Sequence, residues 1–137
     1  MKRVTGIGGI FFRSKDTAAT KKWYETHLGI QMDKWGSAFE WRQAEDANLK
    51  GFTQWSPMSQ DTEYFGNPDQ QFMVNYRVKD LEGLVETLKA EGVTIVDKIQ
   101  TFDYGKFVHI LDGDGRRIEL WEPVDEVFDQ YAEGRTK

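Results

Sequence analysis

The chain has 137 residues, a formal net charge of −5, 39% hydrophobic and 14% aromatic residues, and no cysteine. This length suits one domain of ordinary size. The lack of cysteine excludes disulfides and thiolate metal centres, and the acidic balance without any basic run argues against nucleic acid as a partner. No apolar stretch is long enough to span a bilayer, so no membrane partner is expected. The opening "MKRVTGIGGIFFRSKD" has too brief an apolar run for a signal peptide and reads as the first strand of a cytoplasmic protein.

In chain order, the first strand carries "GGIFFRSKD" at 8–16. Alternation puts Ile10 and Phe12 under a helix and leaves Gly9, Phe11 and Arg13 on the opposite, open face. The pair Gly8-Gly9 weakens a strand. Close approach of a ligand, close approach of the other half of the chain, or a β-bulge would each account for it. Asp16 caps the helix that follows, Trp23, Tyr24 and Leu28 supply its apolar side, and Gly29 stops it. His27 beside that stop favours the helix C-terminal dipole and reads as structural. Strands are expected at about 31–35 and 37–43, with a last strand in "FTQWSP" at 52–57. The polar, turn-rich segment "MSQDTEYFGNPDQ" at 58–70 is a linker, whose Tyr64-Phe65 forms either a lid or a staple.

The pattern then repeats. "FMVNYRVKD" at 72–80 matches 8–16 with an offset of 64, and "IELWEP" at 118–123 matches 52–57 with an offset of 66. Asp80 caps a second helix with Leu81, Leu84, Val85 and Leu88 in one stripe, and Gly92 ends it. Val74, Tyr76 and Val78 should face that helix, leaving Met73, Asn75 and Arg77 on the open face. Strands at about 93–100 and 105–111 precede the last one, and a short helix over Val127, Phe128 and Tyr131 is expected before the tail frays. The chain thus divides into a first module at about 4–57, the linker 58–70, a second module at about 71–123 and a tail, 124–137.

The final hairpin has a register. "DGDGR" fits a three-residue loop with Gly115 in the left-handed conformation, so that Asp112 pairs with Arg116, Ile110 with Ile118, His109 with Glu119, and Phe107 with Trp121. Glu119 therefore sits mid-strand on the open face, where a carboxylate is wet, paired or coordinating. His109 and Glu119 are the candidate catalytic pair, since each stabilises the charged form of the other. Phe11, Arg13, Thr53, Trp55, Met73, Asn75, Phe107 and Trp121 are the candidate ligand-binding residues, an aromatic lining with few polar anchors.

The doubled strand-helix-three-strand unit, with "WYETHLGI", "VKDLEGLVETLKAEGV" and "DGDGRRIELWEP", resembles the vicinal oxygen chelate superfamily over residues 4–123. This group includes glyoxalase I, extradiol dioxygenases, fosfomycin-resistance enzymes and bleomycin-resistance proteins. The resemblance implies an α+β fold of two βαβββ modules forming a curved mixed sheet around one cleft, and a homodimer. It also implies four metal-ligand positions, which fall on Gly9, Thr53, Met73 and Glu119. Only Glu119 is a usual ligand, so no metal and no cofactor is expected. The reading is a protein that binds a small organic molecule in a metal-free cleft. The alternative is a lyase, isomerase or dioxygenase with an atypical metal site or a metal-independent His109–Glu119 acid–base pair. Whether it is an enzyme stays open.

Overall fold

The repeated strand forms the centre of the sheet in both halves. The computed structural model describes residues 2–137. In it β1 (Val4–Ser14) and β4 (Phe72–Val78) lie antiparallel side by side. Each pairs in parallel with the last strand of its own half, β1 with β3 (Asp46–Ser59) and β4 with β7 (Arg117–Pro123). Outward follow β2 (Ser37–Gln43) and β6 (Gly105–Leu111), then the edges β8 (Arg135–Thr136) and β5 (Gln100–Phe102). The order β5-β6-β7-β4-β1-β3-β2-β8 makes one eight-stranded mixed sheet, an α+β architecture of two modules, βαβββ in the second half and βαββ completed by the tail strand β8 in the first. No helix among the described residues is long and apolar enough to cross a membrane.

The two helices cover one face. α1 (Thr17–Leu28) is capped by Asp16, whose side chain accepts from the Ala19 amide, and ends at Gly29 with φ 69°. α2 (Leu81–Ala90) is capped by Asp80 through the Gly83 amide, and Gly92 follows it at φ 83°. The stripe on α2 works as its spacing dictates. Leu81 and Val85 pack with Val78, Val108, Ile110 and Leu120 into a buried core. Under α1 the contact is aromatic and looser: Tyr24 meets Phe12 at 6.4 Å and Trp55 at 4.7 Å, and no residue of α1 is fully buried.

The sequence expectations for several elements need correction. Residues 31–35 form no strand, only the bridge Asp33–Gly36. Turn chemistry wins there: Asp33 accepts the Trp35 amide at 2.8 Å, and Gly36 takes φ 123°, a conformation that L side chains avoid. The vacant edge goes to the chain's end, which does not fray. Gly134 donates to Asp33 at 2.8 Å, the Ala38 amide donates to the Gly134 carbonyl at 2.8 Å, and Ser37 and Thr136 share a hydroxyl contact at 2.8 Å. The second correction is the strand at 93–100, which breaks between a bridge at Ile95 and the start of β5 at Gln100. The third is that the last strand of the first half, expected at 52–57, runs over 14 residues from Asp46 to Ser59 and takes in the start of the expected linker.

On the open face the trough is filled from within. The expected short helix, α3 (Asp125–Tyr131), lies across it and sets Phe128 against Phe52 and Trp121, both at 5.2 Å. The linker inserts Phe65, fully buried, among Phe11, Met73 and Met58. A β-bulge between Ile7 and Gly9 turns Gly8 onto the same face. A Cβ on Gly8 would lie 2.2 Å from Asn75 Oδ1 and 2.9 Å from the Trp121 ring. Bulge and close approach are thus one feature. Gly8→Ala is expected to cost about 1–3 kcal/mol in urea denaturation, the usual toll of overpacking. Gly113→Ala, where nothing lies within 4 Å, should change stability by less than about 0.5 kcal/mol. Equal effects at both positions would contradict the close approach.

Candidate functional site

One row of side chains crosses six strands of the open face. Cross-strand pairs link His109 to Glu119, Glu119 to Asn75, Asn75 to Gly9, Gly9 to Gln54, and Gln54 to Ala38. Paired residues share a face, so the row is fixed by register. The hairpin that carries it closes as its turn demands, with the Asp112 amide donating to the Arg116 carbonyl at 2.8 Å and Gly115 at φ 80°.

Glu119 is 2% exposed and paired. Asn75 Nδ2 donates to Oε1 at 2.7 Å, and the Tyr64 phenol donates to Oε2. His109 Nε2 stands 2.9 Å from Oε2, within ion-pair range, yet off the line of a well-formed hydrogen bond. The second ring nitrogen, Nδ1, lies 2.7 Å from Asp97 Oδ2, and Asp97 Oδ1 accepts the His109 backbone N–H at 2.8 Å. A neutral imidazole has one N–H and one lone pair, so between two carboxylates it would aim the lone pair at one of them. An imidazolium suits both. Burial pulls the His109 pKa down, but the hydrogen bonds and charges of Glu119 and Asp97 outweigh it and the net shift is upward. The Tyr64 hydroxyl is pushed well above its usual range, by burial first and by the Glu119 charge next, so it stays a donor.

Asp97 is the residue the sequence reading missed. The break in the edge strand delivers it, because its carboxylate takes a backbone N–H that a strand carbonyl would otherwise accept. An aspartate within the apolar run "VTIVDKIQ" at 93–100 was the available signal, since strands are depleted in Asp. Tyr64 was noted only as part of a lid or staple. Its neighbour Phe65 is the staple, while Tyr64 keeps 40% of its surface exposed.

The other candidates divide. Asn75 holds Glu119 directly. Trp121 is buried and stacked on Phe107 with centroids 5.6 Å apart, so these two line the trough, but Phe128 covers Trp121. Phe11 and Met73 are on the open face and are occupied by Phe65. Arg13 is committed to the linker, donating to the carbonyls of Gln60, Thr62 and Gln70 at 2.7–2.8 Å and lying over the Phe65 ring. Trp55 and Thr53 are misplaced by the repeat alignment. Gln54, not Thr53, pairs with Gly9, and a one-residue slip turns Thr53 and Trp55 to the other face. Trp55 packs on Phe12 and Tyr24, and the Thr53 hydroxyl donates to the Ile7 carbonyl at 2.6 Å and accepts from Trp41 Nε1 at 2.9 Å. Arg77, also on the open face, is buried between the rings of Trp41 and Trp121 and bound by both oxygens of Asp125 at 2.8 and 2.6 Å.

The row does not suit a divalent ion. Besides Glu119 it offers the amides of Asn75 and Gln54 and a glycine, and the carboxylate already accepts from Asn75 and Tyr64. Among the described residues no cluster of three His, Cys, Asp or Glu side chains has metal-binding geometry.

A family model described as Glyoxalase/Bleomycin resistance protein/Dioxygenase superfamily matches residues 6–120. Among solved structures the chain is similar to methylmalonyl-CoA epimerase from Mycobacterium tuberculosis, with 21% identity and a TM-score of 0.62, covering 92% of this chain and 93% of that one. It is similar also to a Streptomyces coelicolor methylmalonyl-CoA epimerase variant in complex with 2-nitronate-propionyl-CoA, with 13% identity, a TM-score of 0.65, and coverage of 88% and 99%. A third likeness is to a structure described as NAD-dependent benzaldehyde dehydrogenase from Legionella pneumophila, at 12% identity and a TM-score of 0.53, covering 84% and 97%. At these identities the likeness is one of fold. No curated protein matches the chain significantly.

The state of His109 gives a pH test. Its pKa is raised on folding, so the folded protein holds the proton more tightly than the unfolded chain, whose histidine titrates near pH 6.5 (about 6.5 for a free side chain). The stabilisation is complete below that value and is lost as pH rises through the folded value. Urea denaturation between pH 6 and 9 should therefore show stability falling with pH, and His109→Gln should flatten that slope. A slope unchanged in the variant would contradict the pairing.

Proposed function

The chain belongs to the Glyoxalase/Bleomycin resistance protein/Dioxygenase superfamily, and we propose that it is a member that binds a small organic molecule, without a metal, over the Glu119–His109 pair. The observation that carries this reading is the uneven hold on Glu119. Two of its neighbours, Asn75 and His109, are buried strand residues, and the third, Tyr64, reaches the surface from the linker. A carboxylate buried this deeply needs its donors, and one of them, Tyr64, is a linker side chain that reaches solvent. Arg13 and Arg77 are spent on the linker carbonyls and on Asp125, so they do not compete for a ligand. The donor chemistry of the row supports binding without a metal.

We propose further that the protein is a homodimer, as the family resemblance implies, and that it is cytoplasmic. Trp23, Leu28, Trp35 and Phe72 keep more than half of their surface exposed, and surface of this kind is commonly covered by a partner. Transfer of catalytic roles to His109 and Glu119 would follow only from turnover. The neighbours solved with coenzyme A esters share the fold, and this site lends no separate argument for such a ligand.

A thermal-shift screen of small organic compounds, followed by NMR of the His109 ring, tests the reading. A true ligand raises the melting temperature and moves the His109 ring signals, and both effects vanish in Glu119→Gln. At a hundredfold excess over its dissociation constant it should add about 2.7 kcal/mol. If no compound moves the His109 signals, the reading fails. If a bound compound is turned over, and His109→Gln stops turnover while sparing binding, the protein is an enzyme. Sedimentation velocity of the same samples should show a dimer, and a monomer would remove that part.

A further inference from the structure

We propose that the Tyr64 phenol is a built-in stand-in for the ligand, and that the site takes an aromatic alcohol whose hydroxyl replaces Tyr64 on Glu119. This rests on the reading of the trough as a small-molecule site and names the chemistry it selects.

The geometry around Tyr64 supplies the argument. Its hydroxyl donates to the buried Glu119 carboxylate, and its ring stands edge-on to His109, with centroids 4.9 Å apart and planes at 90°. The linker that carries it is fixed independently. Arg13 binds three linker carbonyls at 2.7–2.8 Å, Gln70 bonds both the N–H and the carbonyl of Arg117 at 3.0 and 2.8 Å, and Phe65 is fully buried. The Tyr64 side chain, 40% exposed, can therefore rotate out without unfolding the loop.

What remains behind is a selective socket. Glu119 Oε2 needs a donor. His109 Nε2, buried, lacks an aligned partner and as an imidazolium offers a proton. One hydroxyl meets both needs, donating to the carboxylate and accepting from the ring. An ammonium can only donate and would face the imidazolium as a like charge. A carboxylate or phosphate would face Glu119 and Asp97. Arg13 and Arg77 are matched elsewhere, and Arg117 is turned to the linker, where it lies against Gly66 and donates to the Tyr64 carbonyl at 3.3 Å. A ring on the hydroxyl inherits the edge-on packing against His109 that Tyr64 now makes.

The probes are p-cresol and its methyl ether, 4-methylanisole, which has the same ring and no donor. With the full chain, p-cresol is expected to move the His109 ring signals and to bind at least tenfold more tightly than the ether. Tyr64→Phe, which removes the internal competitor's hydroxyl and keeps its ring, should bind p-cresol several-fold more tightly than the unaltered chain, although its melting temperature falls. A merely structural tyrosine would lower stability without that gain. Equal binding of the two probes overturns the proposal, as does a Tyr64→Phe variant, folded by near-ultraviolet circular dichroism, that binds p-cresol no better. Should that variant fail to fold, the comparison of the two probes on the unaltered chain decides alone. If p-cresol fails while another compound from the screen moves the His109 signals, this proposal falls and the small-molecule reading stands. If nothing moves them, both fall.

Discussion

A carboxylate buried in the middle of a sheet is the constraint around which this molecule is arranged. Glu119 retains 2% of its surface, and an unpaired charge at that depth would cost several kcal/mol. The partners come from separate parts of the chain: His109 from the neighbouring strand of its hairpin, Asn75 from the central strand, and Tyr64 from the linker between the halves. Holding Glu119 therefore ties the second half of the sheet to the linker. Asp97 extends the chain of contacts to the edge, so that charge alternates from Asp97 through His109 to Glu119.

The same economy governs the rest of the trough. Arg13 and Arg77 point onto the open face, and each is matched where it stands. Arg13 gathers the linker's carbonyls, and Arg77 lies between two tryptophans with Asp125 as its counter-ion. The apolar floor is likewise occupied, with Phe65 over Phe11 and Met73, and Phe128 over Phe52 and Trp121. Tyr64 is the exception, tied to the deepest charge and still open to solvent. That contrast sets it apart from the staples around it.

Much of this was legible in the sequence, and the limits have physical causes. The hairpin register followed from Gly115, because a left-handed residue fixes the loop and the loop fixes every pair beyond it. The caps at Asp16 and Asp80 and the stripe on α2 were equally local signals. What failed depended on distant partners. The repeat aligned Thr53 with Glu119, but the register between β1 and β3 is set by their own pairing, and it brings Gln54 to the row and turns Trp55 under α1. The bulge at Gly8 shows a further departure from exact repetition. Asp97 reaches His109 through a strand break that alternation could not forecast. The tail's docking on Asp33 and Ala38 joins residues about a hundred positions apart, beyond the reach of any local rule.

Asn75, Tyr64 and His109 jointly stabilise the buried Glu119 carboxylate, and the rest of the site depends on it. Urea denaturation of Glu119→Ala at neutral pH measures this most directly. Removing one member of a buried, charged network should cost about 3–5 kcal/mol. A loss of less than about 1 kcal/mol, the size expected of an exposed ion pair, would contradict it.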